Sequence, residues 1–189
     1  MVRVGIAGGS GYSGIELTRI LLQHSEVEIT WISSRRYAGK KMAELYPNLN
    51  GCTDICFSPL EPIPTADVDV LFLALPHGHA MKIVPDLPDD LLVIDLSGDY
   101  RISDPQIFEE FYHLPASDSQ DQRKFVYGLP EINRKKISNA RRIANPGCFA
   151  TATLLALHPL TQEKWIKGPV FVDTKTGSSG AGRTASETT

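Results

Sequence analysis

The sequence predicts an α/β protein built on a doubly wound, mostly parallel sheet, and three observations carry that expectation. Short apolar runs alternate with segments of helical periodicity along the whole chain. Runs such as Val70-Leu-Phe-Leu-Ala74 and Leu91-Leu-Val-Ile-Asp95 are continuously apolar, as strands are when both faces of a parallel sheet are covered. A glycine-rich segment, Gly8 to Gly14, stands between the first apolar run and the first helical segment, where the first turn of such a sheet belongs.

The elements follow in order. Arg3–Ala7 reads as a buried strand ending in Gly8-Gly9. Ser13–His24 reads as a helix, with Ile15, Leu17, Ile20, Leu21 and Leu22 on its apolar side. Glu28–Ile32 is β-branched and aromatic, a second strand. Gly39–Tyr46 is a short helix stopped before Pro47. Val70–Ala74 and Leu91–Asp95 are the next two strands. Asp104–Tyr112 is a helix with Pro105 in its first turn. Ser117–Gln122, the most polar stretch, is expected to be an exposed loop. Arg142–Ala144 is a short strand, Cys148–Leu157 a helix, and Val170–Thr174 a last strand. A Rossmann-type dinucleotide-binding domain over 1–147 is expected, followed over 148–189 by the beginning of an incomplete α+β catalytic or dimerisation domain.

Composition narrows the partners. A net charge of -3 over 189 residues lacks the basic excess of nucleic-acid-binding domains. No apolar run approaches the ~18 residues of a membrane span. The start of the chain meets glycines too early for a signal peptide. Three cysteines are too few for a disulfide framework. These features point to a cytoplasmic protein with neither nucleic-acid nor membrane partners. No cluster of metal-ligand spacing is present either.

Gly9-Ser-Gly11-Tyr-Ser-Gly14 fits G-x-G-x-x-G, directly after a strand and opening a helix. In that setting glycines let the backbone approach a pyrophosphate, whose charge faces the helix N-terminus. The end of the second strand refines the cofactor. A site for NAD(H) places an acid there, on the ribose hydroxyl. This chain has Ser33-Ser34-Arg35-Arg36, and guanidinium groups suit a 2′-phosphate, so NADP(H) is expected.

Cys52 and Cys56, one residue too far apart for C-x-x-C, read as buried small hydrophobes. Cys148 differs. It follows a short strand in Ala144-Asn-Pro-Gly-Cys148 and begins a helix, whose first amides favour a thiolate. Pro146 and Gly147 make the sharp turn that exposes the sulfur, and Asn145 offers an amide to a carbonyl oxygen or phosphate. A thiolate nucleophile beside a nicotinamide suggests chemistry through a thioester.

Six segments occur in a telling order: Gly8–Gly14, Leu73-Ala-Leu-Pro-His-Gly78, Asp95-Leu-Ser-Gly-Asp-Tyr-Arg101, Tyr127-Gly-Leu-Pro-Glu131, Asn145-Pro-Gly-Cys148 and Gly177-Ser-Ser-Gly-Ala-Gly-Arg183. Together they resemble the N-acetyl-gamma-glutamyl-phosphate reductase family, within the aspartate-semialdehyde dehydrogenase superfamily, from Val2 to the last residue. The resemblance implies an NADPH-dependent reductive dephosphorylation of N-acetyl-L-glutamyl 5-phosphate to the 5-semialdehyde, in arginine biosynthesis. Cys148 would attack the acyl phosphate and expel phosphate, and reduction of the thioester would follow. Expected cofactor contacts are Gly8, Ser10, Gly11, Tyr12, Ser13, Gly14, Ser34, Arg35, Arg36, Pro76, His77 and Gly180. Arg101 and Asn145 are expected at the substrate, with Arg101 on its phosphate unless it is taken by an ion pair with Asp99 or Asp104.

Family members carry a catalytic His well after the cysteine, and this chain ends before it, so the chain looks C-terminally truncated. None of His24, His77, His79, His113 and His158 obviously replaces that residue. Two other readings stay open: a related reductase of an amino-adipyl or aspartyl phosphate, and a non-catalytic NADP-binding fragment. A homo-oligomer is expected of the full-length form.

Overall fold

The computed structural model describes residues 1–117 and 119–182. Six strands form one sheet: β1 (Val2–Ala7), β2 (Val27–Ile32), β3 (Val70–Leu73), β4 (Leu92–Asp95), β5 (Val126–Tyr127) and β6 (Arg142–Ala144). Their order across the sheet is β2-β1-β3-β4-β6-β5, and every pairing is parallel. Among the described residues seven α-helices accompany them: α1 (Tyr12–Leu21), α2 (Met42–Leu45), α3 (Ala80–Ile83), α4 (Pro105–Tyr112), α5 (Ser119–Lys124), α6 (Pro130–Ile137) and α7 (Cys148–Gln162).

The continuous apolar runs are explained by two cores. Side chains of a strand alternate between faces. Val4 and Ile6 of β1 join Ile32, Met42 and Phe57 in one core, while Ala7 joins Leu71, Leu73, Val93 and Ala144 in the other. Both faces are covered, so neither side of β1 or β3 can be polar. β1 pairs with β2 on one side and with β3 on the other. The winding therefore reverses at β1, and a crevice opens beyond the carboxyl ends of β1 and β3.

Local chemistry sets the helix starts. Asp104 caps α4 by accepting the amides of Gln106 and Ile107, with Pro105 in the first turn. α1 begins after Gly11, with no side-chain cap. α7 begins after Gly147, also uncapped, and runs through Pro159 beyond the expected end at Leu157.

Three expectations are corrected. Ser117–Gln122 is not simply an exposed loop. α5 begins at Ser119 and Gln122 is buried, because the following Phe125 stacks on the buried Tyr100 at 3.9 Å and draws the segment inward. Val170–Thr174 is not a strand. It is exposed and no strand among the described residues runs beside it, and β-propensity without a partner makes no ladder. Cys52 and Cys56 are exposed rather than buried. Their loop alternates, and the inward place next to Cys56 is taken by Phe57. α3, β5 and α6 have no counterpart among the elements expected from the sequence. β5 is two residues long and has no periodicity to read.

Candidate active site

The first part of the site is the glycine loop. Gly8 has φ +85°, open to glycine alone at no cost, and a Cβ there would overlap the Ala74 carbonyl. A Cβ on Gly9 would overlap Ile32, and one on Gly14 would stand 2.6 Å from Gly8 O and Gly9 Cα. These three glycines are required by packing. Gly11 is not: a Cβ there would meet only Gly8 O, at an ordinary 3.7 Å. Gly11 stands at the uncapped start of α1, where the amides of Tyr12, Ser13 and Gly14 have no intrahelical acceptor. Tyr12 and Ser13 are exposed there. This cradle fits a pyrophosphate, so the loop passes the test for a dinucleotide.

At the end of β2 the two serines turn inward. Ser33 Oγ accepts the Gly8 amide at 3.2 Å. Ser34 Oγ is 2.7 Å from Ser10 Oγ and accepts the Tyr37 amide. Both serines are buried and hold the glycine loop against β2. Arg35 and Arg36 are exposed and leave two guanidinium groups at this end of the crevice.

Beyond β3 and β4, two loops are bolted together. Asp99 is fully buried and accepts the amides of Gly78 at 2.7 Å and Met81 at 3.3 Å, closing the turn that starts α3. Gly98 N–H donates to His77 Nδ1 at 2.7 Å. Asp95, at the end of β4, accepts the Ser97 amide and hydroxyl. Burial pushes the Asp95 carboxyl up to about 6, and nearby Asp99 adds to this, while the Ser97 bonds and Arg101 oppose it. Pro76 and His77 lie on the exposed rim.

Arg101 reaches across to the loop after β6. Its Nε donates to Asn145 O at 2.8 Å and its Nη2 to Leu96 O at 2.9 Å. Neither Asp99 nor Asp104 pairs with it, since two carbonyls have already fixed the guanidinium plane. The remaining Nη1 faces Gly147, where a Cβ would come within 3.0 Å. Asn145 N–H donates to Asp95 O, and its Nδ2 to Pro146 O. Asn145 thus shapes the turn that delivers Cys148, exposed, as the first residue of α7.

One edge of the sheet therefore carries, in strand order, the glycine cradle, the His77 turn, the Arg101 loop and Cys148. β1 and β6 are three strand intervals apart, about 14 Å. That is within the length of an extended dinucleotide. His158 lies on α7 ten residues past Cys148, about 15 Å along the axis. Gly180 is in a short turn, Ser178–Ala181, exposed and with no hydrogen bond to the glycine loop. Arg183, which closes the last quoted motif, is outside the described residues.

The family model described as semialdehyde dehydrogenase, NAD binding domain, matches residues 3–140, and that of the semialdehyde dehydrogenase dimerisation domain matches residues 148–189. The chain belongs to the semialdehyde dehydrogenase family. An N-acetyl-gamma-glutamyl-phosphate reductase from Nitrosococcus oceani is 47% identical over 188 residues, covering 98% of this chain and 55% of that protein. One from Methanocaldococcus jannaschii is 43% identical over 193 aligned residues, covering 100% of this chain and 56% of its own length. The chain spans about half the length of the curated relatives it matches. Among solved structures, aspartate semialdehyde dehydrogenase II from Vibrio cholerae shares the fold with a TM-score of 0.61 at 21% identity, over 86% of this chain and 43% of that one. The Candida albicans enzyme, solved with NADP, gives 0.58 at 19%, over 86% and 47%. Among the described residues no helix of this family member is long and apolar enough to cross a membrane.

Four residues that build the site have no place among the cofactor and substrate contacts expected from the sequence: Asp95, Gly98, Asp99 and Tyr112, whose ring meets His77 edge-on at 5.5 Å. The first three stand in Asp95-Leu-Ser-Gly-Asp99, and Asp, Ser and Gly directly after a strand signal side chains that bond backbone in a turn. That signal was available. The amides that Asp99 accepts, 18 and 21 residues earlier, were not.

Proposed function

We propose that this chain is the NADPH-binding part, together with the nucleophile, of an enzyme that reductively dephosphorylates N-acetyl-L-glutamyl 5-phosphate in arginine biosynthesis. The observation that carries it is Cys148, exposed at the uncapped start of α7, next in the chain to Gly147, which the Arg101 guanidinium faces, and on the sheet edge that holds the glycine cradle. The substrate comes from the names of relatives 42–47% identical to this chain.

Cys148 Sγ attacks the acyl carbon, the C–S bond forms, and the C–O bond to phosphate breaks, leaving a thioester. Arg101 is held by two carbonyls with Nη1 toward Gly147, so it offers a fixed cation to the departing phosphate. A nicotinamide cofactor, when bound, would supply the hydride that takes the acyl group to the aldehyde level; the C–S bond then breaks, and its electron pair returns to Cys148 as the thiolate. Gly8, Gly11 and Gly14 with the amides of Tyr12 and Ser13 hold its pyrophosphate. Arg35 and Arg36 take the 2′-phosphate, and Ser10 and Ser34 brace the loop between them. Pro76 and His77 flank the nicotinamide half, and Gly180 closes over the cofactor. Residues 1–147 form the cofactor domain and 148–189 begin the catalytic and dimerisation domain. The whole protein acts as a homo-oligomer, and three exposed, unpaired thiols suit the reducing cytoplasm.

The test is Cys148→Ser in the protein extended by its natural downstream sequence. NADPH oxidation dependent on N-acetyl-glutamyl phosphate should be lost while NADPH binding stays. Near-normal turnover would overturn the thioester route. Arg35→Ala with Arg36→Ala should weaken NADPH by roughly 1.5–3 kcal/mol per lost charge-assisted contact and leave NADH nearly unchanged. An unchanged preference would place the 2′-phosphate elsewhere.

A further inference from the structure

His77 stands on the exposed rim with its two ring nitrogens in different situations. Nδ1 accepts the Gly98 N–H at 2.7 Å. A backbone amide can only donate, so Nδ1 presents a lone pair and the ring proton sits on Nε2. Asp99 Oδ1 lies 4.0 Å from Nδ1, but it already accepts the Gly78 amide at 2.7 Å. Among the described residues Nε2 has no protein partner, and the side chain is 53% exposed, which leaves that N–H open to a ligand.

The ring is also held in place. Tyr112 meets it edge-on, with centroids 5.5 Å apart and planes at 71°. Tyr112 in turn stacks on Phe108, which is fully buried, at 4.8 Å. Gly98 serves twice: its amide fixes the tautomer, and a Cβ on it would overlap the Tyr112 ring.

Topology says what must pass the turn that carries His77. The pyrophosphate cradle is on β1, and Arg35 and Arg36 are at the end of β2. β3 lies on the opposite side of β1. The other half of a dinucleotide must therefore cross the end of β3 on its way to Cys148. Ala74 and Leu75, just before Pro76 and His77, pack directly against Gly8.

We propose that His77 is a fixed hydrogen-bond donor, Nε2-protonated with Nδ1 occupied, to an acceptor oxygen on the nicotinamide–ribose half of the cofactor, with Gly98 and Tyr112 as its positioning residues. The proposal rests on the cofactor reading above and adds a direction to it. With Nδ1 occupied and Nε2 carrying the proton, His77 has no lone pair to offer and is not the base of the reaction.

Two measurements test it on the 189-residue chain. Two-bond nitrogen–proton correlation spectra of ¹⁵N-histidine-labelled protein, with His77 assigned by its loss in His77→Gln, should show the Nε2–H tautomer. Gly98→Ala should convert that pattern to an averaged one, whereas Tyr112→Phe should leave it. A pure Nδ1–H or averaged pattern in the unsubstituted chain would overturn the proposal. NADPH fluorescence titration is the second. His77→Gln, whose amide reaches the Nε2 position, should bind within about threefold of the parent. His77→Asn, whose amide reaches only the Nδ1 position, should bind about tenfold more weakly, the scale of one hydrogen bond. Equal binding by His77→Asn, with the parent binding well, would overturn the proposal alone. A parent chain that binds no NADPH would overturn the cofactor reading beneath it, and the spectra would still report the tautomer.

Discussion

Asp95 is the residue at which this fold should feel pH. Its carboxyl is raised to about 6 by burial, with Asp99 adding repulsion, so between its unfolded value of 3.8 and about 6 the folded chain holds the extra proton. Stability therefore falls as pH rises through that window, and above it the ionised carboxylate costs up to about 3 kcal/mol. Asp95→Asn keeps an acceptor for the Ser97 amide. It should make the protein more stable than the parent by about 1–3 kcal/mol at pH 7, with the gap closing below pH 4. Urea titrations from pH 4 to 8 that show no such convergence would refute this origin of the effect. The cysteines give a second contrast. All three are exposed, so access does not rank them, and only Cys148 begins a long helix. Brief iodoacetamide treatment should label Cys148 before Cys52 and Cys56, as peptide mapping would show. Cys148 could be singled out because Asn145-Pro-Gly147 before it spells out a turn, whereas Arg101 is named only by the family resemblance. The embrace of Asp99 and the Gly78 turn was not legible, because it joins two loops that only the sheet brings together.

At the scale of the element, the glycine loop separates fold from function. Gly14→Ala sets a methyl against the backbone of Gly8 and Gly9, which cannot yield as a side chain can. It should cost about 1–3 kcal/mol of stability. Gly11→Ala meets nothing closer than 3.7 Å, so thermal unfolding should hardly change while NADPH binding weakens. Equal losses of stability in the two variants would contradict this division. The strands around the loop were legible because continuous apolar runs have few other homes. β5 and the 170–174 segment show the limit of that reading. Two residues pair at the edge because β6 is beside them, and a segment with four residues of strong β-propensity does not, because no strand among the described residues is beside it.

At the scale of the whole molecule, α7 stands out. It is rich in apolar residues, yet none of its residues is buried, and Phe149, Leu154, Leu155 and Leu160 are exposed on it. Trp165 and Phe171, which follow it in the chain, are exposed as well. A helix of this kind belongs under cover. The 189-residue polypeptide should self-associate and bind a hydrophobic dye, and sedimentation at rising concentration would show the association. A dye-negative monomer at high concentration would contradict it.

The strand order has one more consequence, and it concerns time. β6 comes after β5 along the chain but inserts between β4 and β5. As the polypeptide is synthesised, β4 and β5 wait with open edges until residues 142–144 emerge, and Cys148 follows within four residues. The closing of the sheet and the delivery of the nucleophile are nearly one event. A nascent chain arrested with residue 140 just outside the ribosome should carry two bare parallel edges and bind chaperones or aggregate, while one arrested with residue 148 just outside should not. Equal chaperone binding by the two arrested chains would show that the late strand has no such role.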